Sequence, residues 1–153
     1  MIALTIAPEY GYVVLTAVGT CFLGTWHGIR CSSFRKAAGL GYPTPYADSA
    51  QLSAASAEDK HKLYLFNCAQ RAHGNFLENH YMALTTLLIG GLHYPLLSSA
   101  FGLIWSLGRI VYAVGYTSQT KENGKGRLAG AFFWLAQLGL FVNAGLTGYS
   151  MAF

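Results

Sequence analysis

The sequence predicts an all-α integral membrane protein, an up-and-down four-helix bundle in which residues 1–153 form one domain. Three observations carry this. Hydrophobic residues make up 53% of the chain and charged ones only 10%, against about 25% charged in an ordinary soluble domain. Four apolar runs are long enough to cross a hydrocarbon core of roughly 30 Å as helices rising about 1.5 Å per residue. Lys and Arg outside those runs gather in the first and third of the three connections between them.

The opening segment, MIALTIAPEY, lacks a basic leader and a small-residue cleavage site, so the run after it reads as a retained helix and not a signal peptide. That run, Tyr10 to Ile29, has no Lys, Arg, Asp or Glu. The first connection, roughly Cys31 to His61, is rich in Ala, Ser, Gly and Pro. It reads as a loop with a short amphipathic piece around Ser49 to Lys60. The second run, Leu63 to Leu92, is broken only by Arg71 and Glu78, and Gly90-Gly91 followed by Pro95 supply the chemistry that ends it. It exceeds the length of a span and so tilts or protrudes. The third run, Ser98 to Thr120, holds Arg109 alone, and the fourth, Leu128 to Phe153, is uncharged and predicts a helix over about 128–152. Its Gly130, Gly139, Gly145 and Gly148 admit close helix approach, and Gln137 and Asn143 can bridge helices.

Charge placement sets the orientation. Arg30, Arg35, Lys36, Lys60 and Lys62 flank or lie in the first connection, and Lys121, Lys125 and Arg127 lie in the third. In an up-and-down chain these share one side, which the positive-inside rule makes cytoplasmic. The net charge of +4 therefore reports topology and anionic lipid, not nucleic acid, which needs a solvated basic face with stacking aromatics. Cys21, Cys31 and Cys68 are odd in number and widely spaced, so neither a disulfide frame nor a zinc site follows. Five histidines give no metal-ligand spacing joined by acidic or thiol groups, so no metal is expected. The Gly39-Leu40-Gly41 cluster lacks the rest of a phosphate loop.

An ionisable residue at the centre of a bilayer costs roughly 2.5 to 3.5 kcal/mol on insertion scales, and such residues mark functional sites by default. In the second run Asn67, Arg71, Asn75 and Glu78 are spaced four, four and three and share one helix face, with Gln70 at its edge. In the third, Trp105, Arg109, Tyr112 and Tyr116 form another stripe. Together they offer two cations, one carboxylate, amides and phenols. This set complements a small zwitterion with excess negative charge, because guanidiniums pair with carboxylates and Glu78 accepts from an ammonium. A purely structural polar network and interfacial tyrosines are the plainer readings of the same residues.

FNCAQRAHGNFLE, GRIVYAVGY, YGYVVLT and the YP after the first helix resemble the microsomal glutathione S-transferase 3 branch of the MAPEG family, the membrane-associated proteins in eicosanoid and glutathione metabolism. The resemblance spans essentially the whole chain. It implies a homotrimer of four-helix membrane subunits with glutathione, the co-substrate, at subunit interfaces towards the cytoplasm. By resemblance Arg71, His73, Asn75 and Glu78 on the second helix, Arg109, Tyr112 and Tyr116 on the third, and Arg35 (or Lys36, one residue on) contact glutathione. Arg127, with Lys125 as competitor, stands beside the sulfur, and Arg127 and Tyr116 are the implied catalytic residues. Two departures stand out: Asn79 replaces a tyrosine of the leukotriene-forming relatives, and the first connection is longer than in several animal members.

The resemblance implies an enzyme: a glutathione S-transferase with glutathione peroxidase activity, acting on lipophilic electrophiles or lipid hydroperoxides. A guanidinium beside the thiol favours the thiolate, so no Ser-His or Cys-His pair is required. A non-catalytic lipid-binding scaffold of the same family is the alternative. A channel with an Arg-Glu gate is disfavoured by the absence of a broken helix or repeated half. The implied location is the endoplasmic reticulum membrane, with the outer mitochondrial membrane as the other candidate.

Overall fold

The computed structural model describes residues 6–153; the first five residues of the opening segment MIALTIAPEY, which precedes the helix read above as retained, lie outside the described residues. Every regular element described is helical. Helix α1 spans Tyr10–Ala37, α2 Ser49–Ala54, α3 Ala57–Gly91, α4 Pro95–Tyr116 and α5 Phe133–Ala152, with a 3₁₀ segment at Glu122–Gly130 before α5. The four long helices pack together, α1 on α3 and α4, α3 on α4 and α5, and α4 on α5.

Two of them, α1 and α4, are by themselves long and apolar enough to cross a membrane. The 3₁₀ segment and α5 meet that standard together, across a bend of 44°. Two or three candidate spans thus stand where the sequence predicts four, because the Asn, His and charged positions of α3 lower its hydropathy. At about 1.5 Å per residue its 35 residues measure about 52 Å, well beyond a hydrocarbon core.

Helix ends depart from the apolar runs. α1 continues eight residues past Ile29, with Arg35 and Lys36 in its last turn, where cations suit the helix dipole. Gly39 then turns the chain at φ +66°. Within the expected loop, α2 is closed by a capping box in which Asp48 and Gln51 satisfy each other's backbone N–H groups. α3 starts earlier than its apolar run. Ser56 caps it, and Ser56 and Lys62 hold the Asp59 carboxyl below its usual range. α4 begins at Pro95, its first helical residue. α5 begins five residues later than expected, because the stretch to Gly130 winds as the 3₁₀ segment against α4.

Glycines make that contact. A Cβ on Gly108 would stand 2.7 Å from Phe133 Cβ and 3.1 Å from the Gly130 carbonyl, and Gly115 meets Gly126 backbone to backbone. Gly139 packs on the Phe101 ring, whereas Gly145 and Gly148 face open space. Asn143 bridges α5 to α4 through Ser98 Oγ at 3.1 Å. Gln137 is buried with no partner among the described residues. Val13, Leu23, Phe76, Leu87, Trp105, Phe133 and Leu140 form the core. The outer faces remain apolar, with Leu15, Phe22 and Ile29 more than 60% exposed, as suits lipid or a second protein surface.

Candidate functional site

The two basic connections meet at one end of the molecule. The 3.6-residue repeat brings Arg71, Asn75 and Glu78 of α3 onto one face there. Arg71 Nη1 donates to Glu78 Oε1 at 2.7 Å and Nη2 to Oε2 at 3.4 Å, a guanidinium–carboxylate fork. The Asn75 amide donates to Glu78 Oε2 at 3.4 Å, and its Oδ1 accepts from Arg109 Nη1 at 2.9 Å. The two stripes are therefore one network running Arg109, Asn75, Glu78, Arg71. About half of the Arg71 and Glu78 side-chain surface is exposed, 48% and 53%.

Arg109 differs in kind. It is fully buried, with its guanidinium carbon 4.4 Å from the centre of the Phe133 ring and 5.0 Å from that of Tyr112. Its Nε and Nη2 have no partner among the described residues. Among the described residues its one side-chain hydrogen bond is to Asn75, which links it to the open face.

Tyr112 and Tyr116 meet edge to face at 5.6 Å, and Arg127 lies over the Tyr116 ring at 5.1 Å. The turn before Arg127 fixes that placement. Asn123 and Gly124 adopt φ 54° and 61°, presenting their carbonyls to Arg127 Nη1 at 3.2 and 2.9 Å. A side chain at Gly124 would clash with the Tyr116 ring, so glycine permits both the left-handed turn and the close approach. The Gly124 N–H donates to the Tyr64 hydroxyl at 2.8 Å, tying the turn to α3. Lys125 is exposed beside it.

A cavity of about 400 Å³ joins these parts. Tyr64, Asn67, Cys68 and Arg71 line it from α3, Tyr116 from α4, and Tyr46 and Asn123 from the two connections. Four of these were not singled out from the sequence. Tyr64 and Cys68 precede Arg71 by seven and three residues on the same helix face, so spacing could have found them. Tyr46 and Asn123 arrive by tertiary folding, with no spacing signal.

Other residues named from the sequence lie apart from the cluster. Arg35 is buried, its Nη1 donating to the Thr44 carbonyl at 2.6 Å and its guanidinium held between the Tyr42 and Phe66 rings. Lys36 is exposed at the end of α1. His73 points towards α1, its ring centre 6.3 Å from that of His27. Among the described residues no three His, Cys, Asp or Glu side chains gather as a metal-binding group. A larger groove of about 660 Å³ runs between α1 and α4, with Leu15, Leu23, Leu103 and Ile110 in its walls and no Lys, Arg, His, Asp or Glu among its lining residues.

The arrangement can bind an anion with a cationic and amide-bearing face and stabilise a second negative charge beside Arg127. The MAPEG family profile matches residues 13–146, and the chain belongs to that family. The family includes glutathione transferases and related proteins, and together with the apolar helices it marks the chain as a membrane protein.

Proposed function

We propose that this protein is a membrane-bound glutathione transferase with glutathione peroxidase activity, of the microsomal glutathione S-transferase 3 type, working as a homotrimer in the endoplasmic reticulum membrane. One observation carries the reading: Arg71, Asn75 and Glu78 form a half-exposed charged network on an otherwise apolar bundle, and Arg71 borders a cavity that Tyr116 also lines. At membrane depth a charged pair needs protein, water or a polar ligand against it. Glutathione, with two carboxylates and one ammonium, satisfies the network, and a second copy of the chain covers what remains of it.

That placement supports the following ligand set. Arg71 and Asn75 take carboxylate and amide groups of the tripeptide, and Glu78 takes its ammonium. Tyr112 and Tyr116 wall the sulfur end, and Arg127 favours the thiolate. Lowering the thiol pKa by two units corresponds to about 2.7 kcal/mol. In transfer, the thiolate sulfur bonds to an electrophilic carbon and the leaving group departs with its electron pair. In peroxide reduction, the thiolate takes the distal oxygen of the hydroperoxide, the O–O bond breaks, and the alkoxide is protonated to the alcohol. A second glutathione then converts the sulfenic acid to glutathione disulfide and water.

The 660 Å³ apolar groove favours a second reading, a lipid-binding scaffold of the same family without chemistry. Purified protein given glutathione with 1-chloro-2,4-dinitrobenzene, and separately with a fatty-acid hydroperoxide, decides between them. Turnover that Arg71→Ala removes is the expected result. A folded oligomer that turns over neither substrate leaves the scaffold.

A further inference from the structure

We propose that Tyr46 is a ligand-contacting residue of this site, donating its phenol hydroxyl to a carboxylate of the bound tripeptide, and that Arg35 and Asn67 are the positioning residues that hold it there. The inference rests on the glutathione reading above and adds to it a residue from the first connection.

The connection between α1 and α2 folds back onto α3 and is fastened on both sides of Tyr46. On one side, the Ala47 N–H donates to Asn67 Oδ1 and Asn67 Nδ2 donates to the Ala47 carbonyl, each at 2.8 Å. On the other, Arg35 Nη1 donates to the Thr44 carbonyl at 2.6 Å and the Gly41 carbonyl at 3.4 Å. The Arg35 guanidinium lies 4.5 Å from the centre of the Tyr42 ring and 4.6 Å from that of Phe66. Charge-assisted bonds and flanking aromatic faces make this a firm anchor. The loop backbone on each side of Tyr46 is thus hydrogen-bonded to a helix side chain.

The phenol comes to rest beside Arg71. A Cβ built on Gly74 would stand 4.0 Å from Tyr46 Oη and 3.9 Å from Arg71 Nη1, so both donors border the same small space over the α3 backbone. Both also line the 400 Å³ cavity. Because the Arg71 fork is already engaged by Glu78, a carboxylate entering the cavity gains from a second donor that does not compete for that bond. Tyr46 is such a donor. Arg35, whose bonds are made to the loop, acts on the ligand through it.

A double-mutant cycle tests this, with glutathione binding measured by titration calorimetry on the purified detergent-solubilised oligomer and thermal unfolding recorded for each variant. Loss of a hydrogen bond to a charged group weakens binding roughly tenfold, so Tyr46→Phe raises the glutathione Kd about tenfold with unchanged Tm. Arg35→Met raises the Kd by the same factor with a lower Tm, and the double variant binds no worse than either, as coupled residues require. Should Arg35→Met fail to fold, Asn67→Ala takes its place in the cycle. With glutathione esterified at one or the other carboxylate, Tyr46→Phe makes no difference for one of the two esters. Tyr46→Phe binding like wild type, or weakening both esters equally, overturns the contact. Additive losses in the double variant overturn the positioning role and return Arg35 to the ligand. A wild-type oligomer that takes up no glutathione overturns the glutathione reading itself, and this inference with it.

Discussion

Arg71 and Arg109 are the same residue type in two apolar runs, yet the structure puts them to opposite uses. Arg71 lies on a half-exposed face, paired with Glu78 and bordering a cavity. Arg109 is wholly buried, set among aromatic rings, with one hydrogen bond to Asn75. The difference teaches that a charge inside a hydrophobic segment is free to meet a ligand from outside only when its far end is open. The closed one holds a neighbour: Arg109 Nη1 donates to Asn75 Oδ1, which leaves the Asn75 Nδ2 towards Glu78.

Substitutions separate the two roles. The largest effect on stability belongs to Arg109→Ala. It empties a space among four rings and leaves the Asn75 carbonyl oxygen without its donor, a loss of about 3 kcal/mol, seen as a lower denaturation midpoint in detergent titrations. Arg71→Ala does the reverse. An exposed ion pair contributes about 0 to 1 kcal/mol to folding, so the midpoint barely moves. Glutathione affinity falls by more than tenfold, read by calorimetry, because a charged contact to the ligand is lost. Equal stability losses from the two variants would erase the distinction.

The contact between α4 and the 3₁₀ segment offers a finer comparison. Gly115 and Gly126 meet backbone to backbone, while Gly145 faces open space. Gly115→Ala is overpacked and costs about 1 to 3 kcal/mol. It also displaces the segment that carries Arg127, so turnover falls along with the unfolding temperature. Gly145→Ala, in a helix and unopposed, is neutral or stabilising by about 0.5 to 1 kcal/mol. Thermal unfolding of both variants side by side measures the gap.

Much of the site was legible in helical arithmetic. Spacings of four and three put Arg71, Asn75 and Glu78 together, and the network in the structure has that order. The same arithmetic sets His73 aside: two residues from Arg71 it lies about 200° around the helix, and the structure turns it to His27. Resemblance names it as a glutathione contact, and in the structure it stands on the α1 side of α3. Apolar runs placed the helices but misjudged their ends. α1 runs through Arg30 and Arg35 because helical geometry does not stop at a charge, and Arg30 reaches the Thr117 hydroxyl and the Ala113 carbonyl of the α4 end. Tyr46 and Asn123 were invisible because their positions depend on long-range clamps, Asn67 to Ala47 and Tyr64 to Gly124. Such pairings leave no periodic trace.

The central claim is that this end of the bundle, with Arg127 beside Tyr116, holds glutathione as its thiolate. Ultraviolet difference absorbance near 240 nm, the thiolate band, on mixing glutathione with the purified oligomer at neutral pH tests it most directly. The account predicts a thiolate band in wild type that Arg127→Ala abolishes while glutathione still binds. No band from a folded, glutathione-binding oligomer contradicts it, and a band that Arg127→Ala leaves intact moves the activating charge to another residue.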